Sequence, residues 1–280
     1  VELFLSEHTL PDSKGKLMYH CIERMTSWDD KRSTTIIYFD RYEVTRVIKK
    51  VAFAMEIMCR NTISNTDLRQ ILDNQEYSNL KYFGGFKKED GKNDLWKFDH
   101  NNFQEFLAAR ALCHLGFDQI LKIISFDPDY TVLNPSWLNT MSYLLSEIES
   151  KETLDKILLW LKTHNSHFLV NADPIRVQED LRFEVFKNIF IEYEKNDQFL
   201  YSNHFTNEQL VAFVQDIDDV FIFLIEKYKT SNVVKAKINA LGLLGHLNYS
   251  KNYDDFQTLF DNLIAGVNNL TRQNITDILR

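Results

Sequence analysis

Glycine and proline are scarce in this chain, eight and four in 280 residues, about 4% together where ordinary usage is roughly 12%. Sheet-rich folds need turn residues far more often, so the scarcity predicts a mostly helical protein. Cysteine is scarcer still. Cys21, Cys59 and Cys113 are odd in number, far apart and without C-x-x-C spacing. They indicate neither a disulfide framework nor a zinc site, and they fit a reducing, cytoplasmic setting. No apolar run approaches the ~20 residues of a membrane span, and residues 1–10 lack the pattern of a secretory signal. Positive charge is also short: 32 Lys and Arg against 40 Asp and Glu leave a formal net charge of −8. That balance argues against non-specific binding to nucleic acid or to an anionic membrane, since both want a basic face. An initiator Met is missing, and residues 273–280 read as helix, so the chain is expected to be a piece of a longer protein.

Against these absences, 44% of the residues are apolar, with 21 Phe and 12 Tyr. That is enough for one large core or two ordinary ones and too much for intrinsic disorder. Leu17, Met18, Cys21, Ile22, Met25 and Trp28 share one helical face after Pro11, a residue suited to a first turn. Residues 34–39 are β-branched and aromatic, a short strand or an extended link. Asp40-x-x-Glu43 reads as a capping box opening a helix with the stripe Val44, Val47, Ile48, Val51, Ala52, Met55 and Met58. Ser64-x-x-Asp67 opens a short helix through Leu72. Residues 80–88 and 94–98 read as strands around Asp90-Gly91, a strong hairpin signal. Helices followed by one β-hairpin describe a winged-helix-like module over 34–115. Its candidate DNA-reading helix, 65–72, carries only Arg69 as a cation, which disfavours sequence-specific DNA binding.

Beyond residue 115 helix starts recur near 134, 151, 173, 206, 231, 252 and 271. Asn134-Pro135 and Asp173-Pro174 supply a cap followed by proline at a first helical position, and Thr206-x-x-Gln209 is a capping box. Residues 137, 138, 141, 144, 145 and 148 form one apolar face. Leu154, Ile157, Leu158 and Leu161 form the next. Phe183, Phe186, Phe190 and Tyr193 read as core, and Leu210, Phe213, Val214, Val220, Phe221 and Leu224 follow. This predicts a HEAT-like α-helical solenoid over 116–280, preceded by the winged-helix-like module and, over 1–33, by the end of a helical domain.

Recognisable chemistry is almost absent. Gly85 to Asn93 is the nearest approach to a phosphate-binding loop, but it has five residues between its glycines and Asn where Ser or Thr should hold magnesium. No nucleophile elbow is visible. His164 and His167 are spaced i, i+3 without an apparent carboxylate partner, and the charge run Glu192 to Asp197 reads as a solvated helix end. No catalytic residue and no metal ligand is therefore assigned. The exception is Lys97 to Leu112, KFDHNNFQEFLAARAL, where the strand end Phe98 enters a polar corner, Asp99 to Asn102, and then a helix rich in Phe and Ala. Asn102-x-x-Glu105 has capping-box spacing. Phe103, Phe106, Ala108 and Ala109 suit aromatic anchoring and close helix packing.

The run Phe98, His100, Phe103, Gln104, Glu105, Phe106, Ala108 and Ala109 resembles the F-x-H-x-x-F-Q-E-[FY]-x-A-A signature that closes the winged helix of NACHT-type STAND NTPases. Leu10-Pro11-x-Ser13-Lys14 with Leu17-Met18-Tyr19, and the helix Glu43 to Cys59, are similar to two further segments of that family. The resemblance covers about residues 8–115. It implies that His100 reaches the β-phosphate of ADP held by a separate nucleotide-binding core and so locks a closed state. It also implies that this chain binds no cofactor alone, whereas the parent protein, an ATPase in signal transduction or antiviral defence, binds ATP or ADP with magnesium. The expected partners are the parent's own NTPase domain and a protein or other macromolecular trigger recognised by the repeats. The parent is expected to oligomerise on activation. The other reading left open is a stand-alone helical-repeat scaffold that binds another protein and has no nucleotide function.

Overall fold

The computed structural model describes residues 14–28, 40–89, 94–247 and 257–258. Of these, 69% are helical and 5% extended, so the mostly helical expectation holds. No helix among them is long and apolar enough to cross a membrane. Two compact units are formed, Val1–Trp160 and Leu161–Arg280.

In the first unit α1 (Lys14–Trp28) turns Met18 and Ile22 inward; Pro11 lies outside the described residues. α2 (Arg41–Ile57) starts at Asp40, whose carboxylate accepts the Tyr42 N–H at 2.8 Å. The expected capping box does not close. Glu43 turns instead to Arg46, 2.8 Å away, because a cation three residues along the same face offers a charged donor. The stripe Val44, Val47, Ile48, Val51, Ala52 and Met55 is buried, and Glu56 is buried with it. The helix ends at Cys59 in the left-handed region, φ 51°. There the Cys59 and Arg60 N–H groups bond Glu56 and Met55 carbonyls, a termination usually left to glycine.

β1 (Ile63–Ser64) leads into α3 (Asn65–Ile71), capped by Ser64, which accepts the Asp67 N–H at 3.0 Å. α4 (Asn74–Asn79) follows through an Asp73–Glu76 capping box. Residues 80–82 make a 3-10 turn, so the strand expected over 80–88 shrinks to β2 (Phe86–Lys88), which pairs with β3 (Leu95–Phe98). The sheet is antiparallel in the order β1-β3-β2, with Ile63 opposite Trp96 and Phe86 opposite Phe98. The single expected hairpin thus gains a third strand, which at two residues is too short to show a period in the sequence. Residues 90–93, at the expected hairpin tip, and 34–39 lie outside the described residues.

α5 (Asn101–Leu112) packs chiefly on α2 and on α7 (Leu138–Glu147). Between α5 and α7 come α6 (Phe117–Ile124) and a 3-10 turn, 135–137, capped by Asn134 with Pro135 at its first position. α8 (Lys151–His164) contains the division between the units.

The second unit holds α9 (Ser166–Leu169), α10 (Glu179–Lys195), α11 (Asn207–Val214), α12 (Asp218–Thr230) and α13 (Val234–Leu244). The start expected at Asp173-Pro174 opens a 3-10 turn, and the long helix begins only at Glu179. The Thr206–Gln209 box closes in both directions, at 3.2 and 2.8 Å. Val220, Phe221 and Leu224 sit on a separate helix, α12, whose first turn carries Asp218 and Asp219, a favourable place for anions. Starts expected near 252 and 271 lie outside the described residues. Glu194 departs from the solvated helix end expected there: it accepts hydrogen bonds from Lys227 and from Ser231, the latter at 2.7 Å. Burial pushes its carboxyl up, but those two bonds and the lysine charge outweigh it and hold the pKa below the ordinary value.

Candidate functional site

Phe98 ends β3 with 4% of its surface exposed, its ring 4.8 Å from Phe86 and 6.5 Å from Phe83. That packing fixes where the chain leaves the sheet. Asp99 is held twice, by its N–H to the Gly85 carbonyl at 2.9 Å and by its carboxylate to Lys87 at 2.6 Å. His100 follows as the N-cap of α5, with extended backbone (φ −140°, ψ 140°), and its carbonyl accepts the Phe103 N–H. The side chain does not cap the helix. It is exposed, and its one ring neighbour among the described residues is Phe103, at 5.9 Å between centroids.

Asn102 does not open the capping box its spacing allowed, since the helix has already begun at Asn101. The other residues of the resemblance turn inward. Phe103 and Phe106 are 6% and 1% exposed, Ala108 and Ala109 are fully buried, and the Phe106 ring meets Tyr143 edge-on at 5.5 Å. Small residues at 108 and 109 let α5 approach its neighbours closely, whereas a longer side chain at either would overpack the core. Glu105 accepts from Asn139 on α7 at 2.9 Å. His100 is therefore the single member of the run that faces out. The other seven, from Phe98 to Ala109, build and hold its platform.

Beneath that platform lies a buried polar junction that the sequence reading did not anticipate. Gln104 is 2% exposed and donates its amide to Glu56 at 3.0 Å and to the Arg60 carbonyl at 3.1 Å. Glu56 is 6% exposed. Burial drives its carboxyl up to about 7. The Gln104 hydrogen bond pulls the other way, while the nearby Glu105 charge adds to the rise. Two oxygens of the junction, Gln104 Oε1 and Glu105 Oε2, are buried without a hydrogen-bond partner among the described residues. Such atoms are costly, so this is a place where the fold tolerates loss. The one mark Glu56 bears in the sequence is its position four residues after Ala52, on the edge of the apolar stripe, where a carboxylate is ordinarily solvated.

One of the two histidines near residue 165 gains an explanation. His167 faces Glu192 at 3.3 Å and stacks on Tyr193, ring centroids 5.9 Å apart, so it does have a carboxylate partner, 25 residues away. No group of three potential metal ligands assembles among the described residues. No protein-family model matches this chain, and no curated protein matches it in sequence.

Proposed function

We propose that this chain is the regulatory and sensing portion of a NACHT-type STAND NTPase. A winged helix over about 34–115 would hold the ADP-bound, inactive state, and HEAT-like repeats after it would bind the trigger. The observation that carries the reading is His100, an exposed imidazole at the entry to α5 whose backbone is fixed on both sides by buried aromatics. An imidazole N–H presented there can donate to a phosphate oxygen, and the helix N-terminus behind it favours negative charge. Support also comes from the element order helix, strand, two helices, two strands, with the first strand paired to the last, which is the order a winged helix requires. The family resemblance at Phe98 to Ala109 gives the fold its nucleotide connection, and ATP, ADP and magnesium belong to a catalytic core outside these 280 residues.

A hydrogen bond to a charged group contributes about 1.5–3 kcal/mol, which is a bias of about ten- to hundredfold in a two-state equilibrium. That is enough for a latch and too little for this chain to hold nucleotide alone. In the full-length parent, His100→Ala should speed ADP release by about ten- to hundredfold and release signalling without a trigger. A variant that folds normally, keeps its ADP and stays silent would remove the latch.

A further inference from the structure

A set of cations converges in the first unit, at a cleft that His100 does not line. α1, α2 and α5 enclose a cleft of about 320 Å³. Its floor is apolar, with Ile22, Phe106 and Leu107 buried. Among the described residues that line it are three cations, Arg41, Lys49 and Arg110, and one carboxylate, Glu23. That carboxylate is engaged along its own helix: it takes a hydrogen bond from Tyr19 and lies 3.8 Å from His20. Arg110 is anchored too, paired with Glu147 at 2.7 Å and lying over the Tyr19 ring at 5.7 Å.

Lys49 is different. It is half-buried in the cleft wall and has no carboxylate partner among the described residues. Burial first, and then the Arg110 charge, hold its ammonium below the ordinary lysine pKa, with Cys113 opposing weakly. A cation kept partly desolvated beside another cation is a poor structural choice, and such groups concentrate where a ligand supplies the missing charge. At the rim two tyrosines are left open, Tyr19 at 44% and Tyr42 at 73% exposure. Flat apolar surface with a polar tip is what a small ligand site uses to hold an aromatic body.

We propose that this cleft binds a small organic anion with an aromatic body, its charged group beside Lys49 and Arg110 and its ring against Tyr19, Tyr42 and the Phe106 floor. The site is independent of the latch at His100 and stands if that reading fails. An anion there neutralises the repulsion between Lys49 and Arg110 and ties α1 to the α2–α5 pair.

The whole chain, titrated with 1-naphthyl phosphate, inorganic phosphate and 1-naphthol, separates the contributions. The naphthyl phosphate should bind, the free phosphate at least about tenfold more weakly, and the uncharged naphthol more weakly still. Lys49→Met should weaken naphthyl phosphate by about ten- to hundredfold, while Lys49→Arg retains it. Tyr42→Ala, at a position too exposed to disturb the core, should weaken it by about three- to tenfold. In the NMR spectrum of isotopically methylated lysines, the Lys49 signal should titrate at higher pH when the probe is bound. Absence of binding by every probe, binding unchanged in Lys49→Met, or a Lys49 signal that ignores the probe would each overturn the proposal.

Discussion

Both units bury charged side chains, and two of these, Arg182 and Glu56, are handled in opposite ways. In the second unit Arg182 is 5% exposed, yet it meets charge and geometry at once. Its guanidinium grips both oxygens of Asp216, one at 2.7 Å, and also donates to the Phe213 carbonyl at 2.9 Å. In the first unit Glu56 is as deeply buried but has no cation. It is held by the amide of Gln104, with Glu105 close enough to repel it. A two-pronged ion pair is insensitive to pH across the physiological range and fixes one packing of α10 against the turn after α11. A carboxyl held by neutral donors trades stability with protons instead. Burial alone does not say whether a polar group acts as a staple or as a weak point. Its partners decide.

The largest effect should come from breaking the staple. Asp216→Ala leaves the Arg182 charge in the interior without its counter-ion, and stranded buried charges cost about 3–5 kcal/mol. Asp216 is itself 63% exposed on its side chain, so water can reach the gap and the lower end, about 3 kcal/mol, is expected. Arg182→Met, which removes the charge and keeps the bulk, should cost less than half of that. Hydrogen exchange in α10 and α11 is the readout. Equal losses in the two variants would mean that the arginine stem, rather than its charge, holds this region.

The first unit should show the opposite sign. The folded pKa of Glu56 lies near 7 against an ordinary carboxyl value of 4.5, so the folded state binds the extra proton between those values. Stability contributed by the neutral acid is fully present below about pH 4.5 and is lost as pH rises through about 7. Glu56→Gln keeps an acceptor for Gln104 and removes the ionisation. It should stabilise the α2–α5 pair at pH 8 by on the order of 2–3 kcal/mol and do nothing at pH 4. A gain of equal size at both pH values would place the effect in packing instead.

The same contrast explains what could be read from the sequence and what could not. The α2 stripe, the Ser64 cap and the Thr206–Gln209 box were legible because each depends on residues within a turn or two of one another. The inward-facing run from Phe103 to Ala109 was legible for the same reason, as helical spacing of bulky and small side chains. Glu56 was not, because a carboxylate at the edge of an apolar stripe is ordinarily solvated, and only Gln104, 48 residues on, makes it a core residue. His167 and Glu192, Glu194 and Lys227, and Arg182 and Asp216 are likewise pairs joined across 25 to 34 residues. Local spacing cannot announce them. β1 escaped because two residues have no period, and α12 because the break at Gln215 to Ile217 contains neither glycine nor proline.

The smallest prediction tests the end of α2, next to the Glu56 junction. Cys59 holds a positive φ of 51°, where a side chain costs roughly 1 kcal/mol that glycine avoids. Its sulfur makes one contact of note, 3.5 Å to the Ser136 hydroxyl, which is a weak bond on an exposed residue. Cys59→Gly should therefore stabilise the first unit, by about 0.5–1 kcal/mol after the added freedom of the unfolded chain is deducted. Because the Cys59 and Arg60 N–H groups bond carbonyls of Glu56 and Met55, this turn also sets where the Arg60 carbonyl meets Gln104. If the turn and the junction act as one unit, the gain from Cys59→Gly and the gain from Glu56→Gln at pH 8 will fail to add. Simple additivity would show that Gln104 is positioned by α5 alone, with the end of α2 contributing only its own backbone strain.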